Sequence, residues 1–473
     1  MYLYGASIQG IQGFIFETNK LQEIVGASEI VKSIADDFLN FANYEKEDKH
    51  ILLNAAGNIK ALFEDRDSSQ AVVESFSKYI QKKAYGITIS QAVIMIDREY
   101  PTDDEFKALD DALKIQRNKP SIPLDMSLNI MKLNLATSKP VTNKETKGKD
   151  EILLDKASWQ KRVAYKEWFK TQTIDEKDFE KSKELSFISN GKNKIAVIHA
   201  DGNGLGKLVP KLKDRLSSFS VKLDNATRDA FEKAKTDNMK IREVICGGDD
   251  LTVICDANEA LGFIERYLEN FEKNTSKIKE LEGLTDKLTA CAGIAYTNEK
   301  YPFHYAVSLA ESLCSQAKKH SNREASCIMF HNIKSSNYQT WSKFVEDELT
   351  IENDKCSIRC DFGPYYLDKD GQPKIEDFLN TVKAYACDGS PISRLRNWLN
   401  ELGKSSEYST NLLKRINTIV EQSNEWNCDI MNNNLKKFDK ELSNEKLIIR
   451  KDKKWRTPIY DILQILSVTE AKI

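Results

Sequence analysis

The sequence predicts an α+β protein: two similar βαββαβ units in tandem, the first degenerate, followed by a mostly helical region. Three observations carry this. Strand-like apolar runs alternate with helix-periodic segments twice, once before residue 136 and again from Asn193. In the second copy 48 positions separate Asp201, at the end of one strand, from Asp249 in a Gly-rich turn, and the first copy repeats this spacing to within a few residues. After residue 336 strand signals give way to amphipathic stretches such as LRNWLNEL, TNLLKRINTIV and IYDILQIL.

Composition sets the outer bounds. A length of 473 residues fits about three domains, and 40% hydrophobic residues excludes wholesale disorder. The 70 Lys and Arg nearly cancel the 72 Asp and Glu, so any electrostatic site must be local. All nine cysteines fall between Cys246 and Cys428 without a CxxC pair, which fits buried reduced thiols rather than a disulfide scaffold or zinc site. MYLYGASIQG lacks a secretory signal's basic and apolar regions, and no apolar run approaches the roughly 18 residues a membrane span needs. The expectation is a cytoplasmic chain with no membrane partner.

In order, YLYGASI reads as a strand. A helix follows with Ser28 as N-cap and Ile30, Val31, Ile34, Phe38 and Leu39 along one stripe. ILLNAAGNIKALF reads as a hairpin and ITISQAVIMI as a buried strand. The polar stretch Thr137–Asp150 reads as a linker. From Asn193, KIAVIHA is a strand ending in the turn DGNGLGK, and EVICGGDDLTVICD is a second hairpin. Residues 257–271 are a helix, KLTACAGIAY a strand, Phe303–His320 a helix and SCIMF a closing strand. Such an order makes a ferredoxin-like, or palm, domain with helices packed on an antiparallel sheet. Expected boundaries are 1–136 for the degenerate unit, 137–190 for a linker and helical connector, 191–335 for the catalytic unit, and 336–473 for a helical domain.

The chemistry concentrates in the second copy. Asp201 ends an apolar strand, and Asp249 and Asp250 sit in a hairpin beside it, so three carboxylates converge at one end of the sheet. Clustered acids repel one another and are stabilised by a divalent cation; oxygen ligands in a compact site suit Mg²⁺ or Mn²⁺. Gly247 and Gly248 permit a tight turn and close approach of a nucleotide. The competing reading of GGDD is an ordinary Gly-Asp hairpin, against which Asp201 in the expected place weighs. DGNGLGK fails as a Walker A motif, since Asp201 stands where its first Gly belongs and Leu208 follows Lys207. The amides of Gly202, Asn203, Gly204 and Gly206 at a helix start can still receive phosphate oxygens. Lys207, Lys318 and Lys319 are candidate phosphate contacts; Lys318 follows an inward-facing Ala317, while Lys319 reads as solvated. Aligned on the hairpins, Ala56-Gly57-Asn58-Ile59 replaces Gly247-Gly248-Asp249-Asp250, and the first copy has no acid in residues 1–16.

Other features rank below this cluster. Asp361-Phe362-Gly363 copies a kinase tripeptide without its companion motifs. Lys436–Arg456 holds nine basic residues against four acids, with Trp455 among them, and reads as a solvated helix and hairpin ahead of a contact for nucleic acid or a partner. His199, two residues before Asp201, reads as packed or hydrogen-bonded, and no His-Asp dipeptide supports a phosphohydrolase.

DGNGLGK, CGGDDLTV, LTACAGIAY and a helix ending SQAKKH together resemble the GGDD palm polymerase/cyclase of the large signature subunit of type III CRISPR effector complexes, a relative of GGDEF cyclases. SIQGIQGFIFETNKLQEIVGASEIV resembles that subunit's degenerate first palm. The resemblance implies Mg²⁺- or Mn²⁺-dependent joining of ATP into cyclic oligoadenylates, with RNA-guided effector subunits or a second copy of the chain as partners. Residue by residue, Asp201, Asp249 and Asp250 match the metal ligands, Gly247 and Gly248 the turn facing the nucleotide, and Lys318 a phosphate contact. Asn203 stands where the family usually has a second Asp. No cysteine precedes Cys246, so the zinc-binding cysteines the family commonly carries between its palms are missing, and the DNase activity of an HD nuclease domain is not expected. The competing expectation is a silent palm pair that binds nucleotide and assembles with effector subunits.

Overall fold

The computed structural model describes residues 1–470 except 46–47, 56, 120–127, 148–149, 173–174, 213–214, 335–339, 424–427 and 452. The first unit comprises β1 (Tyr2–Gln9), α1 (Ile11–Phe16), α2 (Leu21–Ala42), β2 (Ile51–Ala55), β3 (Asn58–Phe63), α3 (Arg66–Lys83), β4 (Thr88–Met95) and α4 (Asp103–Arg117). The connector holds β5 (Asn143–Lys147), β6 (Asp150–Leu154) and α5 (Lys156–Lys170). The second unit comprises β7 (Lys194–Gly202), α6 (Leu205–Leu212), α7 (Leu216–Ala234), β8 (Ile241–Gly247), β9 (Asp250–Asp256), α8 (Ala260–Thr275), β10 (Ala290–Asn298), α9 (Phe303–His320) and β11 (Cys327–Asn332).

The two units share one topology. The first sheet runs β2-β3-β1-β4, and the second contains β8-β9-β7-β10 in the same order, antiparallel throughout. The second sheet is then extended by β11, parallel to β10. In both copies two helices cover one face and a third covers the other. On the first sheet α2 and α3 bury Phe38 and Phe76 against Tyr4, while Leu109 and Leu113 of α4 meet Leu3 behind. On the second, Phe231 of α7 and Phe263 of α8 pack over Ile198. Leu313 and Ala317 of α9 lie on the face of Ile195 and Val197. The period-2 apolar pattern of these strands is thus filled from both sides.

The copies grip each other reciprocally. Ser28 of α2 donates its hydroxyl to Val244 O of β8, and Ser217 of α7 donates to Ile51 O of β2 at 2.7 Å. Both acceptors lie at breaks in strand register, where a bulge turns a carbonyl out of the ladder. Ser28 is therefore not the expected N-cap. The helix starts at Leu21, and Ser28 is buried within it.

Two other local expectations change. Thr137–Asp150 is not simply a linker: Asn143–Lys147 pairs with Asp150–Leu154 as a polar hairpin, and Arg162 of α5 bridges Glu145 (2.6 Å) to Glu23 of α2 (2.7 Å). β4 is an edge strand with only its Ser90 buried, not a buried strand; it pairs with β1 alone, and Met95 is 69% exposed.

The C-terminal region contains α10 (Trp341–Asp347), β12 (Thr350–Glu352), β13 (Ser357–Arg359), β14 (Tyr365–Tyr366), α11 (Ile375–Tyr385), α12 (Ile392–Glu401), α13 (Ser406–Ser423), α14 (Cys428–Phe438), β15 (Ile449–Lys451), β16 (Lys454–Arg456) and α15 (Ile459–Val468). Its helices accompany a four-stranded sheet, β12-β13-β16-β15; the β15-β16 hairpin is the one expected within Lys436–Arg456, while the sequence reading contains neither β12 nor β13. β14 joins the edge of the second unit's sheet beside β11, and Gln464 of α15 accepts the Asn332 N–H at 3.0 Å. Asp361-Phe362-Gly363 serves packing: buried Asp461 accepts from Phe362 N and Tyr365 Oη, and Arg456 donates to Gly363 O. Among the described residues no helix is long and apolar enough to cross a membrane.

The close seat of α9 on β10 depends on Gly293, where a Cβ would lie 2.0 Å from Ala310 O. Gly293→Ala is expected to cost about 3 kcal/mol, since a rigid backbone atom must move. An unchanged urea midpoint would show that α9 yields without cost.

Candidate active site

The strand register makes the site. Asp201, near the end of β7, stands directly opposite Asp250, the first residue of β9, and Asp250 stands opposite Gly247 of β8. Gly248 and Asp249 form the turn between β8 and β9, and Gly248 has φ +62°. Gly202 N donates to Asp249 O at 3.2 Å. A Cβ at Gly202 would meet Asp249 Cβ at 2.8 Å, so only glycine lets the turn lie this close to β7.

One strand pleat before Asp201, His199 points to the same face. Its Nδ1 lies 3.0 Å from Thr252 Oγ1. Ligand-capable atoms of His199, Asp201 and Asp250 all lie within 4.8 Å of one another. Lys318, near the end of α9, reaches in from that face, pairing with Asp201 Oδ2 at 2.5 Å and donating to Gly202 O at 2.7 Å. Glu311, two turns earlier on α9, is half-buried and accepts from Gln12 of the first unit at 2.6 Å.

The electrostatics are those of crowded acids in a poorly hydrated place. Burial, with Asp250 and Asp201 adding repulsion, pushes Asp249 up to about 7. Burial and Asp201 push Asp250 up to about 6; Lys318 opposes this and Glu311 reinforces it. Burial lowers His199 to about 4, which leaves a neutral imidazole free to ligate at pH 7. Two oxyanions and one neutral nitrogen within ligand distance of a common point fit a divalent cation.

Several sequence-derived candidates gather here and others do not. Asp201, Asp250, Gly247, Gly248 and Asp249 share one end of the sheet. Asn203 is turned away. It is buried, and its side-chain amide donates to Thr289 Oγ1 at 2.9 Å and Cys291 Sγ at 3.4 Å, so the side chain does not join the carboxylates. Gly204, at φ +76°, and Gly206 form the open approach to α6, where Lys207 N and Leu208 N donate to Gly204 O. Lys207 and Lys319 are exposed. His199 is packed and hydrogen-bonded as expected, but sequence reasoning misses its place beside the carboxylates and misses Glu311 altogether. The period-2 spacing of His199 from Asp201 was a usable signal, but Glu311 shows none.

The first unit carries the same framework without the acids. Its register pairs Ser7 with Asn58 and Ala55 with Asn58, so Ser7, Gly57 and Asn58 occupy the places of Asp201, Asp249 and Asp250. This shifts the expected hairpin alignment by one residue; Ala56, part of that alignment, lies outside the described residues. Ser7 donates to Asn58 Oδ1, and Arg117 of α4 reaches Ser7 as Lys318 of α9 reaches Asp201. Between the two units lies a cavity of about 530 Å³, bounded by Gly247, Asp250 and Asp224 on one side and by Lys32, Asp36 and Asn54 on the other.

An acid-bearing βαββαβ sheet with a neutral twin across a cavity defines a tandem palm protein with one chemically equipped palm. Residues 194–327 match the family described as Cas10/Cmr2, second palm domain, which bears out the expected palm family for the equipped unit. No curated protein matches the sequence. Among solved structures, a chain of the apo Csm1–Csm4 cassette matches with 14% identity and a TM-score of 0.49, covering 69% of this chain and 54% of that one. The same cassette in complex with cA4 (13%, 0.47) and with AMPPNP (15%, 0.47) matches with the same coverage. The match thus spans about half the length of those chains.

Two outcomes are expected. A carboxyl raised on folding makes stability fall as pH rises from the unfolded value near 4 through the folded values of about 6 and 7. Mn²⁺ should therefore raise Tm more at pH 8 than at pH 5, and an equal gain at both would place the ion elsewhere. With an imidazole among the ligands, Mn²⁺ should bind more tightly than Mg²⁺, and His199→Asn should narrow that gap about tenfold by calorimetry. An unchanged gap would remove His199 from the ligand set.

Proposed function

We propose that this chain is a metal-dependent nucleotidyltransferase that joins ATP, or other NTPs, into cyclic oligonucleotides with release of pyrophosphate. The observation that carries the reading is the Asp201–Asp250 pair with His199, of which Asp250 lines the cavity of about 530 Å³ between the two palms. The family match at residues 194–327 supports it, as do the cA4 and AMPPNP complexes described for the Csm1–Csm4 cassette.

In this reading Asp201 and Asp250 hold Mg²⁺ or Mn²⁺, with His199 and Asp249 beside them. When bound, the cation screens phosphate charge and favours ionisation of an attacking ribose hydroxyl. Backbone amides of Gly204, Leu205 and Gly206 at the start of α6 receive triphosphate oxygens; those of Gly202 and Asn203, expected to join them, donate instead to Asp249 O and Thr289 O. Lys318 keeps Asp201 oriented and supplies positive charge beside the phosphates. A ribose 3′ oxygen attacks the α-phosphorus, and the bond to pyrophosphate breaks. The neutral palm forms the opposite wall of the cavity and holds the partner nucleotide. Asn203, pointing away from the carboxylates, takes no ligand from the cation site, so its replacement of an acid does not favour a silent scaffold. Assembly with RNA-guided effector subunits belongs to the same proposal.

Purified protein incubated with ATP and Mn²⁺ or Mg²⁺, alone and with effector subunits and target RNA, is expected to yield cyclic products by mass spectrometry. Asp249→Ala with Asp250→Ala should lower the yield by about a thousandfold or more. Equal product from the double variant would overturn the site. ATP binding without turnover under every condition would favour a scaffold.

A further inference from the structure

The GGDD turn is held from above by a helix that no motif in the sequence marks. Asp224 and Thr227, one turn apart on α7, straddle the single residue Gly248. Asp224 Oδ1 accepts the Gly248 N–H at 3.1 Å, and Thr227 Oγ1 donates to Gly248 O at 2.6 Å. Thr227 is wholly buried, and Arg228 Nε fixes the other Asp224 oxygen at 2.9 Å. A Cβ at Gly247 would come within 3.0 Å of Asp224 Oδ1. The first glycine of the motif thus makes room for α7, while the second supplies the positive φ.

We infer that Asp224 and Thr227 are positioning residues, a two-point clamp that fixes the Gly248 peptides and so aims Asp249 and Asp250 at the cation. The first palm serves as an internal comparison. Counting seven, ten and eleven residues on from the bridging serine gives Asp224, Thr227 and Arg228 after Ser217 on α7, but Ala35, Phe38 and Leu39 after Ser28 on α2. The copy whose hairpin carries Gly57 and Asn58 in place of the acids also lacks the clamp. Acids that must be held together against their own repulsion need an external restraint, and a neutral turn does not. The clamp rests on the cation-site reading above.

The test compares Thr227→Val, Thr227→Ser, Asp224→Ala and Asp250→Asn by calorimetric Mn²⁺ titration, with metal-free Tm measured for each. Thr227→Val keeps the volume and removes the hydroxyl. It should weaken Mn²⁺ binding about tenfold, equivalent to ~1.4 kcal/mol, with metal-free Tm lowered by only a few degrees. Asp224→Ala should act in the same direction, and Thr227→Ser should restore binding. Full Mn²⁺ affinity in Thr227→Val alongside its loss in Asp250→Asn overturns the clamp and leaves the cation site standing. Full affinity in both overturns the cation site, and the clamp with it. Should Thr227→Val fail to fold, hydrogen exchange of the Gly248 amide in the native chain decides: protection is expected, and exchange at the rate of an open loop overturns the clamp.

Discussion

Everything at the site follows from one rung of a β-ladder, on which Asp201 faces Asp250 across antiparallel strands. Two carboxylates on directly opposed positions repel each other, and a slip of one residue would relieve that repulsion by sending one acid to the other face. The slip is blocked because both faces of β7 and β9 are filled. Ile198 and Val253 belong to the core under α7 and α8, and Val197 and Ile254 to the core under α9. Hydrophobic burial on two sides therefore maintains an electrostatically unfavourable juxtaposition.

The duplication separates scaffold from chemistry within one chain. Both palms keep the same strand order, and both retain a basic residue reaching the rung, Arg117 to Ser7 and Lys318 to Asp201. What differs is the rung itself and the helix above the turn. The reciprocal serine bonds show why the neutral copy persists as structure. Each palm supplies a helix that covers an edge strand of the other, closing β2 and β8 against unwanted pairing.

The second palm was legible because its strands are long apolar runs broken by Gly and Asp. KIAVIHA, the GGDD hairpin and ACAGIAY each read as what they are. The three-residue strands Thr350–Glu352 and Ser357–Arg359 of the C-terminal sheet are too short for any period to register. The polar hairpin from Asn143 to Leu154 lacks apolar alternation and looks like a linker until Arg162 ties it down. Ser28 reads as a cap because serine favours that role locally, yet a carbonyl more than two hundred residues away claims its hydroxyl. The carboxylates could be found from sequence, whereas the orientation of Asn203 could not. It depends on Thr289 and Cys291, residues brought near only by the folded sheet.

Helix α7 has a mechanical property that follows from where its polar side chains fall. Near its first turn Ser217 holds a strand of the first palm, and ten residues later Thr227 holds the acidic turn of the second. That separation is about 15 Å of hydrogen-bonded helix, a length over which helices behave as stiff rods. The joint between the palms and the aim of the carboxylates are thus two ends of one lever. A force applied to the first palm at Ile51 is delivered to Gly248 without a chain of intermediaries.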